Sequence, residues 1–218
     1  MIIRLSKHMR GTFFLDHYKV VLLLSLSLII VCYFFVDIPL AQHFRHIPHT
    51  EYTIATLFTN LIEADYNLYL WSILFLLLRY LWKKPELANR CLLIFISLLI
   101  VSVLTEIVKF LLGRARPELL FSQNLYGFTF FSSSDSSQSL PSLHACTIGV
   151  ICGALACFYP RWSVRLLLLS FILAFSRVIL TVHFLSDIIV GITLGILTAQ
   201  WTFKIMQKEH FQFSKKSG

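Results

Sequence analysis

Three short stretches carry side chains that could do chemistry together. Lys109-Phe-Leu-Leu-Gly-Arg-Ala-Arg116-Pro117 ends one apolar run with a lysine and an arginine. Pro141-Ser142-Leu143-His144 begins another with a hydroxyl and an imidazole. Ser176-Arg177, His183 and Asp187 add a guanidinium, a second imidazole and a carboxylate. Converging cations, two histidines and one carboxylate suit a tetrahedral oxyanion. A phosphate monoester brings up to two negative charges, and its transition state spreads charge over three equatorial oxygens. Arginine meets such oxygens with a planar pair of donors, lysine with a compact point charge. Lys109, Arg116 and Arg177 are therefore the candidate phosphate ligands. Ser142 follows a proline and precedes an apolar run, which makes it a candidate N-cap. The first N–H groups of that helix would then face the anion. His183 and Asp187 stand four apart and share a face if a helix begins near His183. Asp187 would then accept from one imidazole nitrogen and leave the other as a nucleophile. His144, across the phosphate, would act as general acid to the leaving oxygen and then as base toward water.

The elements that must position these groups are membrane helices. Hydrophobic residues make up 57% of the 218 and charged residues only 14%. A soluble domain carries about a quarter charged residues. Mean hydropathy is +0.75. Twenty Phe and four Trp suit lipid-facing surfaces and interfacial belts, with Trp82, Trp162 and Trp201 at span ends. Six spans are expected: Val20–Val36, Leu68–Trp82, Cys91–Leu112, Leu143–Tyr159, and two within Val164–Phe203. The last stretch is too long for one crossing and should turn among Ser176, Arg177, His183, Ser186 and Asp187. The expected fold is thus all-α, a polytopic helical bundle in one domain over residues 1–218, with its motif-bearing core at about 91–203. No cleavage site follows the first apolar run, so that run is expected to be a retained span.

Charge sets the orientation. Arg4, Lys7, Arg10 and Lys19, then Lys83, Lys84 and Arg90, then Arg161 and Arg165, then Lys204, Lys208, Lys215 and Lys216 fall on one side of this layout. The positive-inside rule makes that side cytoplasmic, with both termini inside. The net charge of +8 is thereby an orientation signal spread between spans, and a nucleic-acid partner is not expected. Lys109, Arg114, Arg116 and Arg177 map to the opposite side, against the bias, which marks them as functional.

The three stretches resemble the type 2 phosphatidic acid phosphatase family, which shares its motifs with the vanadium haloperoxidases. The family pattern is Lys, six residues, Arg-Pro; Pro-Ser-Gly-His; and Ser-Arg, five residues, His, three residues, Asp. The first and third motifs match in full, at Lys109, Arg116 and Pro117 and at Ser176, Arg177, His183 and Asp187. The second carries Leu143 where the family has glycine. Leucine narrows the pocket and is expected to alter substrate fit. The resemblance implies a metal-independent phosphatase without a cofactor. It also implies a phosphohistidine on His183, His144 as acid, and phosphate held by Lys109, Arg116, Arg177 and Ser142. It further implies a bilayer-borne lipid phosphate substrate and a site on the outer, periplasmic face of a bacterial cytoplasmic membrane. The run Gly113–Leu120 with Tyr126-Gly-Phe128 resembles bacterial members acting on undecaprenyl diphosphate or lipid A. Phosphatidylglycerol phosphate and phosphatidic acid are further substrates the family allows. A lipid phosphotransferase with the same histidine chemistry, and a non-catalytic lipid-binding membrane protein, remain alternatives. Neither the lipid nor the oligomeric state follows from the sequence.

The remaining polar residues have plainer readings. Glu106 lies one turn before Lys109 and should position it. Arg114 should touch a headgroup or second phosphate, or anchor at the interface. His43, His46 and His49 lack a zinc-like spacing and read as a loop near headgroups. Tyr52–Asn67 reads as an interfacial amphipathic helix, and the serine-rich run 131–139 as a flexible cover with a solvated Asp135. The five cysteines read as small buried hydrophobes.

Overall fold

A computed structural model describes residues 16–46, 56 and 63–216, with side chains as far as residue 208. Arg4, Lys7, Arg10, His49, Glu51 and most of the expected interfacial helix Tyr52–Asn67 lie outside the described residues. Among the described residues seven α-helices account for the architecture. Helix α1 is Tyr18–Arg45, with a π-helical turn at Cys32–Val36. Helix α2 is Ala64–Leu76 and runs into a second π-helical turn, Leu77–Leu81. Then come α3 (Pro85–Leu112), the short α4 (Pro117–Gln123), α5 (Leu143–Phe158), α6 (Ser163–Ile179) and α7 (Leu185–Lys216). Among the described residues there is no strand, only an isolated bridge between Arg114 and Phe128. The expectation of an all-α bundle holds.

Proline and glycine punctuate the chain where their chemistry requires. Pro85 opens α3 at its first turn, where a missing N–H costs nothing. Gly113 ends α3 in the left-handed conformation, at φ +57°, and its N–H returns to the Lys109 carbonyl at 2.8 Å. A Cβ at Gly113 would lie 2.7 Å from Thr129 Oγ1 and 2.9 Å from Phe130 N. The chain then leaves in an extended segment that pairs with residues 127–130, through Ala115 N to Gly127 O and Thr129 N to Gly113 O. The last apolar stretch turns at 180–184, inside the polar cluster.

Among the described residues four helices are long and apolar enough to cross a membrane: Tyr18–Arg45, Pro85–Leu112, Pro160–Ile179 and Leu185–Lys208. The expected second and fourth spans are helices too: α2 with its π-helical turn carries Asp65, Asn67 and Arg79 within its apolar run, and α5 is shorter than the four. Helix α5 has 16 residues, about 24 Å, against roughly 30 Å of hydrocarbon. It can be short because α3, α6 and α7 pack around it, so protein and not lipid covers most of its surface. Apolar side chains on α1, α3 and α6, such as Leu23, Phe35, Val103 and Ile172, point outward instead. All five cysteines are buried and unpaired.

The tightest contact is between α5 and α7. Gly149 and Gly153 on α5 lie against Ile192, Gly195 and Ile196 of α7, and Gly191 and Gly195 on α7 against Ser142, Cys146 and Gly149 of α5, so both helices use glycines four apart to bring backbones together. A Cβ on Gly195 would stand 2.3 Å from the Cys146 carbonyl oxygen, and one on Gly191 2.7 Å from that of Ser142. Val150, Ala154 and Ala199 complete the dry interface toward α3 with Leu93, Leu98 and Val101. Gly195→Val should therefore lower stability by about 1–3 kcal/mol or more, since the obstructing atom is backbone and cannot rotate away. Thermal unfolding in detergent would register this as a clear drop in midpoint. Leu23→Ala, on the outward face of α1, should leave the midpoint nearly unchanged.

Candidate active site

The α5–α7 contact brings two of the three stretches into register. Ser142 is the N-cap of α5, as its place after Pro141 predicts, and its hydroxyl accepts from Ala145 N at 3.5 Å. Its own N–H donates to the Asp187 carbonyl at 3.3 Å, so the starts of α5 and α7 are bonded directly. Leu143 is the first residue of α5 and keeps a negative φ, so it sits where the family's glycine would without backbone strain. The first stretch arrives from the end of α3, where Lys109 is buried and paired with Glu106 at 2.7 Å. Glu106 thus positions the lysine, as its spacing suggests.

All seven expected site residues meet at this end of the bundle. His144 lies within Coulombic reach of Arg177, His183 and Lys109. Arg177 in turn senses Glu63 and Arg116, and His183 senses Asp187, Arg177 and Arg116. Arg116 and Arg177 have no carboxylate within ion-pair distance among the described residues, and the Nε of each lacks a hydrogen-bond partner. Two guanidinium groups without a bonded carboxylate among the described residues, near the N-terminus of a helix, are a suitable environment for an anion. His144 Nε2 is also without a hydrogen-bond partner among the described residues, and its nearest carboxylate oxygen there is Glu63 Oε2, at 3.7 Å.

His183 differs from expectation in how it is held. Its Nδ1 lies 2.8 Å from the Ser139 carbonyl oxygen, a good hydrogen bond, and 3.8 Å from Asp187 Oδ2, which is beyond one. The helix starts at Leu185 and not at His183, so the two do not share a helical face. Asp187 is the third residue of α7 and turns back to accept from Phe184 N at 2.8 Å, the carboxylate half of a capping box. The same oxygen accepts from Ser139 Oγ at 2.6 Å. Burial pushes the His183 imidazole toward its neutral form, while Asp187 draws it the other way.

Arg114 overturns its expected role. It is 1% exposed and reaches no headgroup. One prong bonds Asp187 Oδ1 and Ser186 Oγ; the other bonds Asp37 Oδ2 at 2.7 Å and Tyr126 Oη at 3.2 Å. Tyr33, Tyr126, Phe128 and Phe184 pack their rings around it within 6 Å. Burial alone would weaken its hold on a proton, but the two carboxylates outweigh this and keep it firmly charged. The serine-rich run is likewise no loose cover. Ser139 N bonds Arg114 O at 3.0 Å, Arg116 N bonds Ser136 O at 2.8 Å, and Ser137 and Ser139 are buried. Asp37, Ser139 and Glu63 are the polar residues sequence reasoning missed. Asp37 carried one signal: a carboxylate inside an apolar run, between Val36 and Ile38.

A sequence profile of the PAP2 superfamily matches residues 90–211. The chain belongs to the PAP2 superfamily. Curated relatives of this member include the lipid A 1-phosphatases of Rhizobium etli and Rhizobium johnstonii, 31% and 30% identical over 102 residues. Those alignments cover 47% of this chain and 44% and 42% of the relatives, so the match spans under half of their length. The crystal structure of a transmembrane PAP2-type phosphatidylglycerolphosphate phosphatase from Bacillus subtilis shares the fold. Its TM-score is 0.58 at 19% identity, over 87% of this chain and 96% of that one.

The two guanidinium groups without a bonded carboxylate make a direct prediction for this PAP2 protein. Arg116→Ala and Arg177→Ala should each weaken orthovanadate binding by about tenfold or more, the scale of one charge-assisted hydrogen bond. Isothermal titration of the detergent-solubilised protein would measure it.

Proposed function

We propose that this PAP2 protein is a membrane lipid phosphatase working through a phosphohistidine on His183. One observation carries the reading. The Ser139 carbonyl can only accept, so the hydrogen bond to Nδ1 fixes the proton there and leaves Nε2 with a free lone pair. In the proposed reaction Nε2 attacks phosphorus as the phosphorus–oxygen bond to the lipid breaks, and His144 gives its proton to the departing oxygen. His144 then takes a proton from water. The water oxygen attacks phosphorus, the phosphorus–nitrogen bond breaks, and inorganic phosphate leaves with His183 neutral again. Lys109, Arg116, Arg177 and the first N–H groups of α5 would hold the equatorial oxygens throughout.

The substrate reading rests on the bilayer. A site at the end of a membrane bundle suits a phosphate whose lipid tail stays among acyl chains. The lipid A 1-phosphatases among the relatives make lipid A the first substrate to test, with undecaprenyl diphosphate beside it and phosphatidylglycerol phosphate and phosphatidic acid after them. The connections at the other end of the bundle carry Lys83, Lys84, Arg161 and Arg165, which supports an outward-facing site in a bacterial cytoplasmic membrane.

A phosphate-release panel over those four lipids, in detergent, tests the proposal. At least one lipid should release phosphate, and His183→Ala should cut the rate by about 1,000-fold or more. Release from none of them would overturn it. Leu143→Gly should shift the preference among the lipids while changing the best rate by less than about tenfold. A much larger gain, seen in the same panel, would mean that the leucine blocks the native pocket.

A further inference from the structure

The proposed nucleophile sits at the end of a closed chain of hydrogen bonds that begins on α1, outside the residues matched by the family. Asp37 is buried where the π-helical turn of α1 gives way to regular helix. Its Oδ1 accepts from Ser186 N at 3.0 Å, and its Oδ2 accepts from Ser186 Oγ and from Arg114. Arg114 hands the link to Asp187 Oδ1, and Asp187 Oδ2 takes the Ser139 hydroxyl. Ser139 returns its N–H to the Arg114 carbonyl and offers its own carbonyl to His183 Nδ1. Every polar atom of the two carboxylates is thereby engaged, and Ser139 is fixed at its nitrogen, its side chain and its oxygen.

We propose that Asp37 and Ser139 are positioning residues for His183, Asp37 acting through Arg114 and Asp187, and Ser139 through its carbonyl on Nδ1. The idea rests on the histidine-phosphatase reading and deepens it. Asp187 does not orient the imidazole by a bond of its own. It clamps the backbone segment that does. Asp37 has a second effect, through charge. Two carboxylates share one guanidinium, so the buried cluster carries a net negative charge. Without Asp37, Arg114 would neutralise Asp187 one to one, and the imidazole would lose part of the field that favours its proton. The other charges facing His183 are Arg177 from α6, Arg116 from the extended segment and His144 from α5. None of them touches Asp37.

The test uses the full chain in detergent and the lipid that the wild type hydrolyses best. Rates are normalised to sites that bind orthovanadate. Asp37→Asn should lower kcat by about tenfold or more while KM stays within about threefold, since the phosphate ligands are untouched. The acidic limb of kcat/KM should move to lower pH, because the nucleophile must be neutral and its proton is now held less tightly. Ser139→Ala keeps the carbonyl but frees it from Asp187, and should lower kcat at unchanged KM. Wild-type kcat and pH profile in both variants would overturn the proposal. So would a loss that vanishes after normalisation to vanadate sites, which is what a purely structural role gives. If Asp37→Asn does not fold, Ser139→Ala alone decides. No phosphate release from any lipid by the wild type would overturn the phosphatase reading itself, and this proposal with it.

Discussion

Two helix backbones touching through glycine are the constraint on which the site depends. Where Gly195 meets the Cys146 carbonyl and Gly191 that of Ser142, α5 and α7 approach more closely than any side chain would allow. In a bilayer there is no water to drive helices together, so such close packing carries much of the association. Its chemical effect is local. It sets the start of α5 against the start of α7, near enough for Ser142 N to bond the Asp187 carbonyl. The start of α7 is taken up by Asp37 and Asp187, which accept from Ser186 N and Phe184 N, and the start of α5 carries Ser142 and His144 beside it. The end of α3, stopped by the left-handed Gly113, supplies the third wall.

The charges on that space divide by whether they are matched. A guanidinium is costly to bury in an apolar bundle unless carboxylates meet it. Arg114 is met twice, by Asp37 and Asp187, and is sealed among four aromatic rings. Arg116, two residues on, is met by none among the described residues. Neighbouring arginines in Gly113-Arg-Ala-Arg116 thus take opposite parts, one bonded into the scaffold and the other left for the proposed phosphate. Lys109 lies between these extremes, charged but shared with Glu106.

Much of this was legible in the sequence, and the misses have physical causes. Apolar runs broken by basic connections located the helices, and Ser142 marked a helix start that the structure keeps. The three motifs named the seven residues that converge. The six expected spans rest on length and apolarity, which do not say whether lipid or protein covers a helix, and protein covers most of the 16-residue α5. The direct His183–Asp187 bond failed because spacing of four implies a shared face only within a helix, and α7 begins between the two. Asp37 and Ser139 escaped because their partners are far along the chain. The link from Asp37 to Arg114 spans 77 residues, and Ser139 acts through its backbone, which no side-chain pattern reveals.

The unmatched pair Arg116 and Arg177 has an energetic corollary. Glu63 attracts Arg177 more strongly than Arg116 repels it, so what the two guanidinium groups lack is a directly bonded anion rather than relief from each other. Under the proposed chemistry a tetrahedral dianion supplies those bonds, whether it arrives attached to a lipid or is left behind after hydrolysis. Whatever binds there stabilises the fold in proportion to how tightly it is held. The same bonds must be given up when inorganic phosphate departs, which under that chemistry would make product escape, and not bond breaking, the brake on turnover.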